Sequence, residues 1–435
     1  MTNSKGKERW FKLIIISFSV LLFYAGLRYL LWSGWVVFEG TVEKSEIRRY
    51  KQQKKKSTRV LVLGDSQLER WPVDHCLYRD LGKYCHQQDW GYVNAAHHGF
   101  SPIEYLNGFR QIAPDYRPDL TIVFYYAGND LTDVLYREGL TPKLPSHGNV
   151  TLKPMEQSVF YRPKAPKPKT GLSEVERQQL IAPHPFNWEQ FRRAGIDEEM
   201  IRFAENRIIN SKTIGSEYVN PHILVFGSWK PDMLYDNLAF DNPGSFYAWY
   251  QILGYFETLV EEAEQIGSKV AFVCIPSTVQ VDTSHYDFYR RTKFRIEDDL
   301  LDHRVPQDLL NAFSKKANVP YVDLLPSFKA AVSPEESLYF DLDDHLNNEG
   351  HRIASEKTIK QLLEPYRQGA LSDFWQGRTK GIQADYIKKA VAHQINVIRS
   401  TPNWFAMVEQ KAMERGISLD SALYQDAVYV LSTDK

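Results

Sequence analysis

The feature that most constrains the fold is an alternation of short apolar runs with segments of helical pattern. The apolar runs are rich in Val, Ile, Leu, Tyr and Phe, as β-strands are. They lie at 59–63, 91–96, 119–127, 269–276 and 319–325, and the helical patterns lie at 103–113, 246–267, 308–317 and 347–365. Strands that alternate with helices predict a parallel sheet covered on both faces, which is a three-layer α/β/α architecture.

Polar residues follow several of these predicted strands, and ligands of parallel sheets bind at that carboxyl edge. The first strand runs directly into Gly64-Asp65-Ser66, so it ends at a serine hydroxyl. A serine needs a base, usually a histidine oriented by a carboxylate, before it can attack a substrate. His345 lies near the end of the alternating region with aspartates just before it. Ser66 is therefore a candidate nucleophile and His345 its candidate base.

The attack of a serine on a carbonyl also produces an oxyanion, which needs hydrogen-bond donors placed in advance. Gly99 lies in the turn after the second strand, where its N–H could face a ligand, and Asn129 follows the third strand with an amide side chain. Both residues are candidate donors.

Four blocks of the sequence, in this order, resemble the blocks of the SGNH hydrolase superfamily, also called GDSL-like esterases. They are GDS at 64–66, the glycine of NAAHHGF at 94–100, GND at 128–130 and DDHLNNEGH at 343–351. The resemblance covers residues 59 to about 365. It implies a flavodoxin-like sheet with Ser66 as nucleophile, His345 as base, and an oxyanion hole built from the N–H groups of Ser66 and Gly99 and the side chain of Asn129.

The chain departs from the common family pattern at the acidic residue. That pattern has the aspartate three residues before the histidine, where this chain has Leu342. Asp343 is two residues before His345, a spacing that resembles membrane-linked members acting on polysaccharide acylation. We assign the carboxylate to Asp343, with Asp341 as the reserve candidate. In some members a backbone carbonyl orients the histidine instead.

The other polar residues of these blocks have simpler interpretations. His97 and His98 are expected to be loop residues, and a metal site formed with His345 is a nonspecific alternative. Asp130 is expected to brace its loop, and His351 to be structural. No metal and no cofactor are predicted.

The N-terminus has a long apolar segment at 13–38, interrupted by a single charge, Arg28. About 20 apolar residues suffice to cross a bilayer, so we predict an uncleaved signal anchor. A cleaved signal peptide is the alternative, but the segment is too long and no small-residue cleavage site follows it. Basic residues are more numerous after the segment than before it, and the positive-inside rule alone then favours a cytoplasmic C-terminus.

We expect four parts in the chain. They are an N-terminal tail and transmembrane helix at 1–38, a charged spacer at 39–58, an SGNH hydrolase-like domain at 59–366 with an insertion at 131–243, and a helical extension at 367–435. In the extension, Pro402 suits a helix start and Gly416 a helix end. A packing or docking role is the default for this extension.

The three cysteines leave two interpretations open. Cys274 lies in an apolar run and is expected to be buried and inert, whereas Cys76 and Cys85 lie in a polar stretch that reads as a loop. In an oxidising compartment these two could form a disulfide, and two free thiols are the alternative. The net charge of −1 gives no reason to expect nucleic acid as a partner.

Three functions follow from these features. The first is hydrolysis or transfer of acyl groups, acetyl above all, on cell-envelope carbohydrate. The second is a lipid-directed esterase that uses the membrane to reach its substrate. The third is a non-catalytic scaffold that binds a polysaccharide-assembly partner. The resemblance favours the first of these functions. It also favours a catalytic domain on the extracytoplasmic (periplasmic) side of the membrane, whereas the distribution of basic residues favours the cytoplasmic side.

Overall fold

The computed structural model describes residues 55–69, 73–137, 230–240, 243–333, 336–340 and 343–432, with isolated residues at 53, 192, 198–199, 201–202, 223 and 227. The predicted membrane span and most of the predicted spacer and insertion lie outside these residues. Among the helices that are described, none combines the length and the apolar character needed to cross a bilayer.

Five parallel strands form one sheet. They are β1 (Arg59–Leu63), β2 (Gly91–Asn94), β3 (Leu120–Tyr126), β4 (Lys269–Ile275) and β5 (Tyr321–Asp323). Their order in the sheet is β2-β1-β3-β4-β5, and every neighbouring pair is parallel. This is the strand order of flavodoxin-like folds, whose ligands bind at the switch point between β1 and β3.

Helices connect the strands and continue after the last one. Within the described residues, those up to Ala331 are α1 (Leu77–Gln87), α2 (Pro102–Tyr116), α3 (Asp130–Arg137), α4 (Met233–Leu238), α5 (Pro243–Gln265), α6 (Thr278–Val281), α7 (Tyr286–Arg291), α8 (Val305–Ala317) and α9 (Leu325–Ala331). The later ones are α10 (Asn348–Thr358), α11 (Glu364–Arg367), α12 (Ile382–Ser400), α13 (Pro402–Arg415) and α14 (Leu419–Ser432). Short 3₁₀ turns lie at Ser66–Leu68 and Asp298–Leu301.

The sheet lies between two hydrophobic cores because successive side chains of a strand point to opposite faces. Leu61 and Leu63 of β1 face the core built with α2, α5 and α8, and Val60 and Val62 face the core built with α1, α9 and α10. The prediction of a parallel sheet covered by helices on both faces is confirmed.

The predicted helix at 347–365 is divided in the structure. After α10 the chain passes through a π turn, Ile359–Leu363, before α11. Pro365 follows this turn, and its ring lacks a backbone N–H and clashes with the carbonyl four residues earlier in a regular helix. The wider turn removes that conflict.

The stretch around Cys76 and Cys85 was predicted as a loop, and this prediction is wrong. Cys76 is the N-cap of α1, and Leu77, Leu81 and Cys85 share its buried face. The Cα atoms of Cys76 and Cys85 are nine positions apart on the helix, about 13 Å along its axis, whereas a disulfide joins Cα atoms about 4.4–6.8 Å apart. All three cysteines are free and buried, so the disulfide alternative is excluded in this fold.

The C-terminal extension forms three helices with a core of their own. As predicted from the sequence, Pro402 opens α13 and Gly416 ends it, with a positive φ of 61°. The helices α12 and α14 pack against α5. The extension is also attached to the sheet, because Trp375 Nε1 donates to the carbonyl of Val270 at 2.7 Å.

Candidate active site

The chain turns sharply after β1, at the residues around Ser66. Asp65 caps the following 3₁₀ turn, since its side chain accepts a hydrogen bond from the N–H of Gln67 at 3.0 Å. Gly64 has no room for a side chain, because a Cβ there would lie 2.3 Å from a methyl group of Leu68. The chain therefore turns at once and leaves Ser66 at the carboxyl edge of the sheet.

Gln67 joins this turn to the distant loop that carries His345. Its side-chain N–H donates to the carbonyl of Asp344 at 2.8 Å, and its side-chain oxygen accepts from the N–H of Leu346 at 3.0 Å. Tyr126, at the end of β3, donates to the same Asp344 carbonyl at 2.9 Å. The backbone on both sides of His345 is thus bound to residues beside the nucleophile. Sequence reasoning missed Gln67, whose only signal was its position directly after the serine.

These contacts bring the predicted nucleophile, base and carboxylate into one hydrogen-bonded chain. Ser66 Oγ lies 2.7 Å from His345 Nε2, and His345 Nδ1 lies 2.8 Å from Asp343 Oδ1. The Asp343 side chain is fully buried, and its Oδ1 also accepts from the N–H of Asp344. This is the arrangement in which an imidazole can take a proton from a hydroxyl while a carboxylate holds its tautomer.

A second carboxylate lies near the imidazole. Asp344 Oδ1 is 3.4 Å from His345 Nδ1, longer than the contact that Asp343 makes. Asp341, the reserve candidate, lies outside the described residues. Of the described carboxylates, Asp343 has the shorter contact and the greater burial.

The two aspartates control the proton affinity of His345. Burial by itself lowers the pKa of His345, but the negative charges of Asp343 and Asp344 and the hydrogen bond that His345 donates to Asp343 outweigh burial and raise that pKa well above 6.5. The imidazole is therefore a stronger base than a free histidine.

The predicted oxyanion donors lie on the neighbouring strand ends. Gly99 has a φ of 72° in the loop after β2, a conformation that suits glycine. Asn129 directly precedes α3 at the end of β3. Asn129 and Asp344 are both among the residues that line a cavity of about 70 Å³, so the end of β3 and the histidine loop border the same space.

Two buried carboxyl groups support the loops behind the site. Asp130 accepts hydrogen bonds from the hydroxyl of Tyr105 at 2.8 Å and from the N–H of Tyr126 at 2.9 Å, as expected of a residue that braces its loop. Burial raises the pKa of Asp130, and burial also raises the pKa of Asp65 to about 7.

The other histidines of the predicted blocks, His97, His98 and His351, lie apart from the hydrogen-bonded chain of Ser66, His345 and Asp343. His351 is buried in α10, where burial lowers its pKa to about 3, which suits a structural residue. His97 and His98 lie beside Glu69. Within the described part of the chain, no His/Cys/Asp/Glu cluster joins these two histidines to His345.

No protein-family model and no curated protein matches the chain. Several solved structures are similar to it. A lipase/acylhydrolase from Enterococcus faecalis is 11% identical with a TM-score of 0.31, and the match covers 72% of this chain and 96% of that one. A GDSL-like lipase from Bacteroides thetaiotaomicron is 14% identical with a TM-score of 0.32, covering 73% and 97%. A catalytic mutant of an acetylxylan esterase from Geobacillus stearothermophilus is 10% identical with a TM-score of 0.31, covering 70% and 94%.

Proposed function

We propose that the chain is a serine-dependent ester hydrolase or acyl transferase of the SGNH type that works through an acyl-Ser66 intermediate. The observation that carries this proposal is the continuous hydrogen-bonded chain from Ser66 through His345 to the buried Asp343. A scaffold without catalytic activity would have no need for such a chain.

In the proposed reaction, Ser66 Oγ attacks the ester carbonyl while its proton moves to His345 Nε2. The carbonyl oxygen becomes an oxyanion that the N–H groups of Ser66 and Gly99 and the side chain of Asn129 stabilise. His345 then gives the proton to the departing alkoxide, which leaves as the alcohol. Water or a sugar hydroxyl next attacks acyl-Ser66, and His345 takes its proton and returns it to Ser66.

For the substrate, we favour a short acyl group, acetyl above all, on cell-envelope carbohydrate. The spacing of Asp343 two residues before His345, which resembles that of membrane-linked members acting on polysaccharide acylation, supports this substrate class. A lipid-directed esterase is the alternative.

For the location, we propose a single-pass membrane anchor and an extracytoplasmic catalytic domain. The apolar segment at 13–38 and the resemblance to membrane-linked polysaccharide-modifying proteins support this location. The cysteines do not support an extracytoplasmic location, because Cys76 and Cys85 are free thiols and form no disulfide.

The test is hydrolysis of p-nitrophenyl acetate by the full-length chain in detergent. We expect Ser66→Ala and His345→Ala each to lower kcat by at least about 10³-fold, since the members of such a unit act together. Ser372→Ala, at an exposed serine of the C-terminal extension, is the matched control and should keep wild-type activity. Hydrolysis that survives Ser66→Ala would rule out the acyl-Ser66 mechanism.

Two further measurements separate the substrate classes. A series of p-nitrophenyl esters should give a sharp fall in kcat/KM beyond the shortest chains if the acyl group is acetyl, and a rise if the substrate is a lipid. Mass spectrometry of an added oligosaccharide should show acetylated product if acyl-Ser66 transfers to sugar, and acetate release alone if water is the acceptor.

A further inference from the structure

The orientation of one peptide group decides whether Gly99 can act as an oxyanion donor. The N–H of Gly99 and the C=O of His98 belong to the same planar trans peptide, so they point in opposite directions. Any contact that holds the His98 carbonyl therefore also sets the direction of the Gly99 N–H.

The conformation of the loop identifies the peptide as the central one of a β-turn. Phe100 N–H donates to the carbonyl of His97 at 3.1 Å, which closes a four-residue turn from 97 to 100. Gly99, the third residue of the turn, has a φ of 72°, and His98 is not among the residues of positive φ. A positive φ at the third position alone is the mark of a type II turn. A type I turn of the same four residues would have the 98–99 peptide turned over.

Side chains hold residue 98 on both sides: one binds its carbonyl, which belongs to the 98–99 peptide, and another binds its N–H, which belongs to the preceding peptide. The ring of His97 donates from Nδ1 to the carbonyl of His98 at 3.0 Å. Glu69 Oε1 accepts from the backbone N–H of His98 at 2.7 Å and lies 2.9 Å from its Nδ1. Burial alone would raise the pKa of Glu69, but the hydrogen bonds and charges of His98 lower it, so Glu69 is an anion.

Glu69 also connects the loop to the nucleophile. It caps the 3₁₀ turn that begins at Ser66, since its N–H donates to the carbonyl of Ser66 at 3.1 Å. A second connection runs from the side chain of Asn94 to the carbonyl of Leu68 at 2.9 Å. The turn after β1 and the turn after β2, which carry the two backbone donors, are thus bound to each other.

We propose that His97 and Glu69 are positioning residues that hold the 98–99 peptide in its type II orientation and so preorganise the oxyanion hole. This inference rests on the proposed function. The two residues act through the backbone and need not touch the substrate, so their loss should weaken stabilisation of the transition state more than binding of the ground state.

The decisive variant is His97→Phe, which keeps an aromatic ring next to Phe100 but removes the donor. We expect kcat for p-nitrophenyl acetate to fall about 10- to 100-fold, while KM changes less than about 2-fold. This fall in kcat should not exceed the fall caused by removing a direct oxyanion donor. Affinity for a trifluoromethyl ketone, which forms a tetrahedral adduct, should fall by a similar factor. His97→Asn, which restores an N–H donor on a short side chain, should recover part of the loss.

The control for the substitution is His393→Phe, at an exposed residue of α12, which should behave as wild type. Glu69 gives a second pair: Glu69→Gln keeps an oxygen that can accept from the His98 N–H, and Glu69→Ala does not. We expect the loss of kcat to be larger in Glu69→Ala. Equal losses in the two Glu69 variants would contradict a hydrogen-bonding role for Glu69.

Amide hydrogen exchange tests the inference without any use of activity. In His97→Phe, exchange in the segment 97–100 should be faster than in the wild type and in His393→Phe. Unchanged exchange, or wild-type kcat in His97→Phe, would overturn the inference. Absence of ester hydrolysis in the wild type would instead defeat the proposed function, and the exchange result would still decide whether His97 holds the turn.

Discussion

At the scale of single residues, the charge around His345 determines how the site should respond to pH. Asp343 and Asp344 raise the pKa of His345 above 6.5 despite its burial. Only the neutral imidazole can accept the proton of Ser66, so activity depends on the deprotonated form.

We therefore expect kcat/KM to rise with pH through a midpoint above 6.5. Asp343→Asn removes the nearer negative charge, so this midpoint should move to lower pH, and the plateau should fall because the tautomer is no longer held. The measurement is the pH profile of p-nitrophenyl acetate hydrolysis for both proteins. An unshifted midpoint in Asp343→Asn would mean that another group controls the profile.

Asp65 provides a second prediction, on stability. Its pKa is about 7 in the folded protein because of burial, against 3.8 when it is unperturbed. At a pH between these two pKa values, the unfolded chain has released the Asp65 proton and the folded chain still holds it. The contribution of Asp65 to stability is therefore lost as pH rises through this range. Asp65→Asn should gain stability relative to the wild type as pH rises from 4 to 8, by an amount on the order of 4 kcal/mol at the upper end.

Thermal unfolding at several pH values measures this difference. The asparagine can still accept from the N–H of Gln67, so the cap is retained. Asp302→Asn, at an exposed position, is the matched control and should not change the pH dependence. If the Tm of Asp65→Asn depends on pH as that of the wild type does, Asp65 is already ionised in the folded protein.

At the scale of elements, the start of α10 holds the loop of His345 in place. Asn347 caps this helix, with Oδ1 accepting from the N–H groups of Glu349 and Gly350 at 3.0 Å each. Its Nδ2 donates to the carbonyls of Ser337 and Tyr339. One side chain thus joins the helix, the loop and the segment before it.

We expect Asn347→Ala to lower the free energy of unfolding by about 1–3 kcal/mol, because a cap and two further hydrogen bonds are lost. Activity should fall as well, since His345 is two residues away. Urea unfolding and the ester assay measure the two effects. Asn403→Ala, at an exposed residue of α13, should stay within about 0.5 kcal/mol of wild type. Wild-type stability in Asn347→Ala would show that the cap is dispensable.

The elements themselves could be predicted where their periodicity is strong. The apolar runs of β1, β3 and β4 and the long helix α5 were predicted to within a few residues, since burial on both faces leaves a continuous apolar pattern. The helix α1 was missed although its buried positions, Leu77, Leu81 and Cys85, recur at the four-residue spacing of an amphipathic helix, because the polar residues between them resemble a loop.

At the scale of the whole molecule, the chain is stabilised by packing without covalent crosslinks among its three cysteines. Cys76, Cys85 and Cys274 are all free and buried, and burial raises the pKa of Cys85 to about 12. Buried thiols of this kind are unreactive. We expect dithiothreitol to leave Tm unchanged, and a thiol reagent to detect three thiols only after denaturation. A fall in Tm under reducing conditions would contradict the fold around α1.

The sequence by itself determined the alternation of strands and helices, and it pointed to Ser66, His345, Asp343, Gly99 and Asn129 because these residues follow strands or lie in matching blocks. Parallel strands place their carboxyl ends at one edge, so order along the chain already implies proximity. Only the tertiary structure showed that Asp343 contacts the imidazole, how Gln67 joins two segments 279 residues apart, and how Glu69 and His97 contact the Gly99 turn. Those contacts depend on distances and directions between side chains, which no local pattern in the sequence encodes.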